Sequence, residues 1–527
     1  MPRSECSHDG LQSIVRVKEL SNQALKYDAE PFGGLAVKSQ LGSRRSSSHH
    51  NLYSIETYPE NMRPADAAAA HLQFHLRHEP TSLELLARVF AKTGPSFVQE
   101  WINNAPTGQY ARRASFLYEF VTGQTLLPPV DLGGNYVSAL DASFQVTASP
   151  DKMSNVSRWR VRDNMPGNRF FCPFIPLSSQ LKTAAEMDVS AGYGELVQEF
   201  GESMLARAAV WLTNRESKAS FTIEGEEHQL DRIQRFSHVL ATRTGQGAVP
   251  LTDTDLAELQ RNILGDVTIT EHFGLRLSPV FVGEYTMRYE NVVHYLAPPA
   301  EDVADMLEGL KIFLDRTEGQ SPVMRSAVAA FGFVYIHPLS DGNGRVHRFL
   351  INDVLRRDGA IPDQIILPIS ATIIGDPTSR RNYDQILDRV SKPLMRQITD
   401  HVSFDRDMKT YPDGIKSNLD FSNPDLARPA WRYINFAPHV IYLSAALEMT
   451  IKHHMKEEAI YLRSHHNARQ ALKELVEMPD MDADRIIRSL RDTHFIPSGK
   501  IQKKYPMIEK FRLWNAISEA LRRSFSE

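Results

Sequence analysis

The chain has 527 residues, 42% of them hydrophobic and 24% charged, an ordinary globular composition with room for about three domains. Its formal net charge of −4 excludes a global positive field of the kind that marks nucleic acid as the main partner. Two cysteines, Cys6 and Cys172, without a C-x-x-C, set aside a disulfide framework and a cysteine zinc site and fit a reducing cytoplasm. The opening MPRSECSHDG carries no apolar core, so no secretory signal is expected, and no run approaches membrane-spanning length.

Residues 1–60 are polar and irregular and read as a flexible arm, with GSRRSSSHH from Gly42 to His50 at its centre. His49 and His50 read as solvated rather than metal-binding. From Pro64 apolar residues recur at helical spacing over Ala67–His75, Ser82–Phe90 and Ala111–Val121, broken at Gly94-Pro95 and Thr107-Gly108. Leu126–Pro176 has little period. Residues 61–186 are taken as an N-terminal helical domain of unknown role. Within it Arg158, Arg160 and Arg162 flank Trp159, either a partner surface or, the favoured reading, a solvated basic face. Glu195–Ser217 reads as one long helix leading into KASFTIEG, and Leu230–Leu240 and Asp253–Leu264 as two more. PVFVGEYTM and NVVHYLAPP, separated by RYEN, carry the signal of a β-hairpin over about 280–299. Glu301–Leu314 and Pro322–Ile336 are helical.

Everything converges on FGFVYIHPLSDGNGRVHR, Phe331 to Arg348. An apolar helix ends at His337, because Pro338 cannot continue it. A tight polar loop, Asp341, Gly342, Asn343 and Gly344, opens a second helix with Val346, Phe349, Leu350 and Leu355 at helical spacing. A helix N-terminus offers unpaired N–H groups and a positive dipole end to an anion, and two glycines let the backbone approach it. Arg345 and Arg348, three apart, share a face and can fork onto phosphate oxygens. Asp341 is a hard oxygen ligand of the kind Mg²⁺ takes beside phosphates. His337, just before this anion site, suits general base work. These parts describe phosphoryl chemistry on a nucleotide. Beyond them, Arg380–Val390 is helical, 401–430 reads as a linker, and 431–527 as a C-terminal helical region with a basic tail that includes Lys500, Lys503, Lys504 and Lys510. That tail has no clear helix-turn-helix spacing, so nucleic acid is not the favoured partner, and His453-His454 and His465-His466 lack the spacing of a zinc site.

HPLSDGNGRVHR resembles the signature of the Fic (filamentation induced by cAMP) family, H-P-F-x-D-G-N-G-R-x-x-R, with Leu339 in place of the usual Phe as the apolar anchor of the loop. The resemblance covers roughly 190–400. It implies a mainly α fold: a helical Fic-type core over 187–400 with a small β-hairpin flap, flanked by helical N- and C-terminal domains. It implies an adenylyltransferase that moves AMP from ATP to a Ser, Thr or Tyr hydroxyl of a target protein, with Mg²⁺ held by Asp341. His337 would be the base, and the loop amides of Gly342 to Gly344 together with Asn343 would steady the α-phosphate. Arg345 and Arg348 would neutralise the outer phosphates, and Tyr383 would pack on the base or fill a core position. Other family chemistries stay open: another nucleotide, phosphocholine, kinase-like transfer or removal of AMP. So does a regulatory or DNA-associated protein with a silenced core. The hairpin would be the flap on which the target segment docks, and self-modification is expected. Ser220, Glu224 and Gly225 are similar to the family's inhibitory motif, [S/T]-x-x-x-E-[G/N], which implies that Glu224, on a helix of about 195–228, pairs with Arg348 and takes the γ-phosphate place.

Overall fold

A computed structural model describes residues 29–50, 53–265, 271–285 and 291–526. It is mainly α, 58% helical with a few small sheets. The chain divides into two units, one of residues 1–187, 245–358 and 380–444, the other of 188–244, 359–379 and 445–527.

The first unit is centred on a helical hairpin. Ser321 caps the lead helix, Pro322–Ile336, by accepting the Met324 N–H at 3.2 Å, and Pro322 occupies a first-turn position where its missing N–H costs nothing. Thirteen of the fifteen residues are buried, so this helix runs through the core. Each large apolar side chain so buried contributes about 1.5–3 kcal/mol. The signature helix, Asn343–Arg357, packs against it through Val346, Phe349, Leu350 and Val354. Arg325 on the lead helix forks onto Asp358 at 2.6 and 3.1 Å, and Ser326 donates to the Ile351 carbonyl at 3.0 Å, fixing the register of the pair. At Gly332 an added Cβ would lie 3.0 Å from the Phe171 ring, which explains a glycine in mid-helix.

Around this pair stand the helix Asp253–Leu264, the antiparallel flap Phe281–Tyr285 with Asn291–Leu296, and the helix Ala300–Arg316. The RYEN turn falls mostly on 286–290, outside the described residues. A separate apolar cluster joins helices Leu83–Thr93 and Gln109–Thr122 to Trp159 and Cys172. Trp159 is fully buried and donates its indole N–H to Glu119 at 2.8 Å, so the ring between Arg158 and Arg160 belongs to the core and only the arginines face solvent.

Two stretches depart from expectation. Within the segment read as a flexible arm, Ser46–His49 forms an exposed edge strand on Ser54–Pro59, which also pairs in parallel with Val37–Gly42. Backbone bonds hold that strand, so no side-chain pattern announces it. The stretch read as a linker, 401–430, contains an antiparallel outer hairpin, Val402–Thr410 with Lys416–Phe421, and the helix Pro424–Arg432.

In the second unit the long helix expected over Glu195–Ser217 is two helices, Val189–Phe200 and Glu202–Ile223, separated by Gly201 at φ +81°. Glycine adopts that angle without a Cβ penalty, and the chain turns there. Glu202–Ile223 packs on Leu230–Arg243, where Ser217 donates to the Ile233 carbonyl at 2.5 Å and Phe221 meets Phe236. The C-terminal helices Lys456–Leu475, Asp480–Asp492 and Trp514–Ser524 enclose their own core of Leu472, Ile486, Ile487, Leu490, Trp514 and Ile517. Lys500, Lys503, Lys504 and Lys510 are exposed. Among the described residues no helix is long and apolar enough to cross a membrane.

Candidate active site

The lead helix ends at His337, whose backbone takes the left-handed conformation, φ +51° and ψ 57°, with its N–H on the Phe333 carbonyl at 2.9 Å. That conformation is uncommon for a residue with a Cβ and marks a position held by its surroundings. Arg276 does the holding. Its side chain is 1% exposed and donates to the carbonyls of His337 at 2.7 Å, Ser278 at 2.9 Å and Pro298 at 2.6 Å, while its own N–H reaches Pro338 O at 2.8 Å. Burial pulls its guanidinium down to about 10. The imidazole of His337 is half-buried, with Nδ1 3.2 Å from the Val334 carbonyl.

The loop that follows is fastened at three points. Leu339 is fully buried. Asn343, 3% exposed, accepts the Leu339 N–H at 2.9 Å and donates to its carbonyl at 2.8 Å. Both polar ends of the Asn343 side chain thus bond the backbone of the loop. Gln260 donates to the Asp341 carbonyl at 2.9 Å and accepts the Gly274 N–H at 2.9 Å.

Gly342 caps the signature helix at φ +90° and, having no side chain, makes no cap bond to its first-turn N–H groups. Those donors have no intrahelical acceptor, so Asn343, Gly344 and Arg345 present an anion-binding helix end. Asp341 is exposed, and its carboxylate lies 3.4 Å from Arg345 Nη2. Arg345 and Arg348 are 3% and 1% exposed, two buried cations on one helix. Desolvation strengthens any pairing they make.

One short loop and one helix turn therefore bring together His337, Asp341, Gly342, Asn343, Gly344, Arg345 and Arg348. Tyr383, on helix Pro377–Ile398, is 4% exposed and lies beneath the signature helix, its ring 6.2 Å from His347 and 6.3 Å from Tyr442. Glu224 belongs to the second unit, exposed at the C-cap of Glu202–Ile223 and followed by Gly225 at φ +74°. Ser220, one turn earlier, is fully buried. Gln260 and Arg276 were not anticipated, since they reach the loop through the carbonyls of Asp341 and His337, 81 and 61 positions away. Among the described residues no group of three or more His, Cys, Asp or Glu side chains is arranged to hold a metal ion.

Residues 250–355 match the family model described as Fic/DOC family. Over 115 residues the chain is 34% identical to protein adenylyltransferase fic-1 of Caenorhabditis briggsae, and over 120 residues 33% identical to protein adenylyltransferase Fic of Drosophila mojavensis. These matches span 22% of this chain and 21% and 22% of the relatives, so the chain spans about a fifth of the length of the curated relatives it matches. A crystal structure of a Fic family protein from Desulfovibrio desulfuricans G20 aligns over 56% of this chain and 80% of that one, at 18% identity and a TM-score of 0.37, too weak a likeness to bear on the fold. The chain carries a Fic/DOC family domain over residues 250–355.

Proposed function

We propose that this chain transfers AMP from ATP to a Ser, Thr or Tyr hydroxyl of a target protein, and that its own chain is among the acceptors. One observation carries this reading: a half-buried imidazole stands immediately before an open helix N-terminus furnished with two buried arginines. A carbonyl only accepts, so the contact with Val334 O puts the ring hydrogen on Nδ1 of neutral His337, which makes Nε2 the basic nitrogen. His337 Nε2 takes the proton of the target hydroxyl. The hydroxyl oxygen bonds to the α-phosphorus as the bond to the bridging oxygen breaks, and pyrophosphate leaves. The N–H groups of Asn343, Gly344 and Arg345 steady charge on the α-phosphate, and the guanidinium groups of Arg345 and Arg348 steady the departing phosphates. Tyr383 is assigned to the packing under the signature helix.

Mg²⁺ beside a nucleotide commonly takes one or two carboxylates, with phosphate oxygens and water completing its shell. The lone exposed carboxylate of Asp341 fits that donor set, and the ion when bound would neutralise phosphate charge. The flap would receive an extended target segment through backbone bonds. Glu224 would restrain the reaction, as its motif implies. The test is incubation with radiolabelled ATP and Mg²⁺. Glu224→Gly is expected to label itself well above the parent rate, and adding Arg348→Ala is expected to abolish the gain. A double variant as active as the single one would remove Arg348 from the phosphate site. Absence of label in every form would overturn the transferase reading.

A further inference from the structure

The outer hairpin, Val402–Thr410 with Lys416–Phe421, lies beyond the segment matched by the family model and stands beside the flap. At its tip the Asp413 carboxylate, 3% exposed, accepts the Leu277 N–H and the Ser278 hydroxyl, each at 2.8 Å. Burial alone would raise this carboxyl, yet those bonds hold it below the usual range. Further along, the Phe404 ring meets Phe281 of the flap edge-on at 5.4 Å. The two hairpins are thus joined at two places.

Between them runs a groove of about 260 Å³, lined by Leu277, Leu296, Pro298, Tyr411, Leu419 and Phe421. Pockets for drug-sized ligands run to about 300–1,000 Å³, so this one suits one or two side chains. Its walls are of mixed polarity, with Leu277, 46% exposed, on the apolar part. Its lining also includes carboxylates. Glu301 and Asp420 line the groove, and Glu301, Asp302 and Asp425 share the single guanidinium of Arg428, with Arg432 adding a second cation on Asp302. The carboxylates of Glu301, Asp302, Asp420 and Asp425 outnumber these two arginines, and Lys409 is a further cation that acts on Asp420 through space. Asp420 is exposed and makes no ion pair among the described residues.

We propose that this groove reads the target: it takes a large apolar side chain of the segment docked on the flap, with a Lys or Arg two positions from it drawn to Asp420 and Glu301. This rests on the transfer reading above. Along an extended segment successive side chains point to opposite faces, so an apolar residue seated in the groove sets which residues can reach these carboxylates. Backbone pairing to a hairpin edge carries little sequence information, and a side-chain groove next to it supplies what the pairing lacks.

The test uses a library of nine-residue peptides with one fixed Ser, Thr or Tyr and randomised flanks, offered with Mg²⁺ and ATP to the full chain carrying Glu224→Gly. Modified peptides are sequenced by mass spectrometry, and labelling of the protein itself is read in the same tubes. They are expected to carry a large apolar residue at a fixed offset from the acceptor, with Lys or Arg two positions from it. Asp420→Lys should cut the Lys/Arg preference by about two- to five-fold, the worth of one exposed charge pair. Ala300→Trp, at the first position of a helix and on the groove wall, should erase the apolar preference. Peptides modified without preference, or a preference unmoved by both substitutions, overturn the groove assignment and leave the transferase reading standing. So does a chain that labels itself but no peptide. If neither chain nor peptide is labelled, the transferase reading fails and the groove assignment falls with it.

Discussion

The two central helices bury the same share of themselves, thirteen of fifteen residues each, with opposite chemistry. Among the buried residues of the lead helix only Arg325 and Ser326 carry strongly polar side chains, beside the hydroxyl of Tyr335. In the signature helix Asn343, Arg345, His347, Arg348, Asn352, Asp353 and Arg356 are all buried. Burying apolar groups is favourable, whereas burying charges costs several kcal/mol per ion unless partners compensate. The lead helix therefore supplies stability that the signature helix consumes. Asp353 shows how the cost is contained: it is fully buried, accepts the Gly245 N–H at 2.7 Å, and pairs with Arg357 at 2.7 Å. A helix loaded with buried cations at its N-terminal end is poor economy for folding and good preparation for an anion.

That contrast can be broken at its joint. Replacing His337 by Asn, which tolerates the left-handed backbone, removes the base and keeps the turn. Labelling should fall about 10²–10⁴-fold, or about 3–5 kcal/mol of barrier, with the unfolding midpoint nearly unchanged. A parent labelling rate would remove His337 from the chemistry. Next in size, Arg276→Ala strips three buried carbonyls of their donor and should cost about 3 kcal/mol in urea unfolding, with Arg276→Lys recovering part of it. Wild-type stability in the alanine variant would show that the clamp is dispensable.

Acid sharpens the comparison. Burial holds His347 on the signature helix and His439 beside Phe331 of the lead helix down at about 3, against an ordinary 6.5. Between pH 7 and 5 the unfolded chain gains a proton on each ring that the folded protein refuses. Stability therefore falls with pH, by about 2 kcal/mol per ring. His347→Phe should remove about half of the fall that these two rings cause. An identical pH slope in parent and variant would refute a neutral buried His347. Smallest is Gly342→Ala: nothing lies within 4 Å of the added methyl, so only the φ of +90° resists it, at about 1 kcal/mol. A loss several times larger would mean that the helix start itself had moved.

The loop was legible because consecutive residues carry it: a histidine, an aspartate, two glycines and two arginines at fixed spacing leave little freedom. Gln260 and Arg276 were not, because a residue that works by gripping distant carbonyls has no local pattern. The outer hairpin had a signal that polar composition hid. Ile415, Ser417, Leu419 and Phe421 share one side of the strand period, and Tyr411-Pro412-Asp413-Gly414 is a turn sequence. The break at Gly201 shows the reverse error, a continuous helical period read across a residue that ends it. Trp159 illustrates a third limit: it lies in the turn between strands Ser154–Val156 and Val161–Asp163, beside Arg160 at φ +49°, where no period applies and a ring flanked by arginines can be core.

The grip of Arg276 has a metrological consequence. Its three hydrogen bonds end on His337, on Ser278 in the segment entering the flap and on Pro298 in the segment leaving it. The flap and the imidazole are thereby parts of one gauge with a fixed zero. A strand laid along the flap would inherit its distance to His337 from that single guanidinium, so the position of the modified hydroxyl along the target would be set by counting residues from the flap.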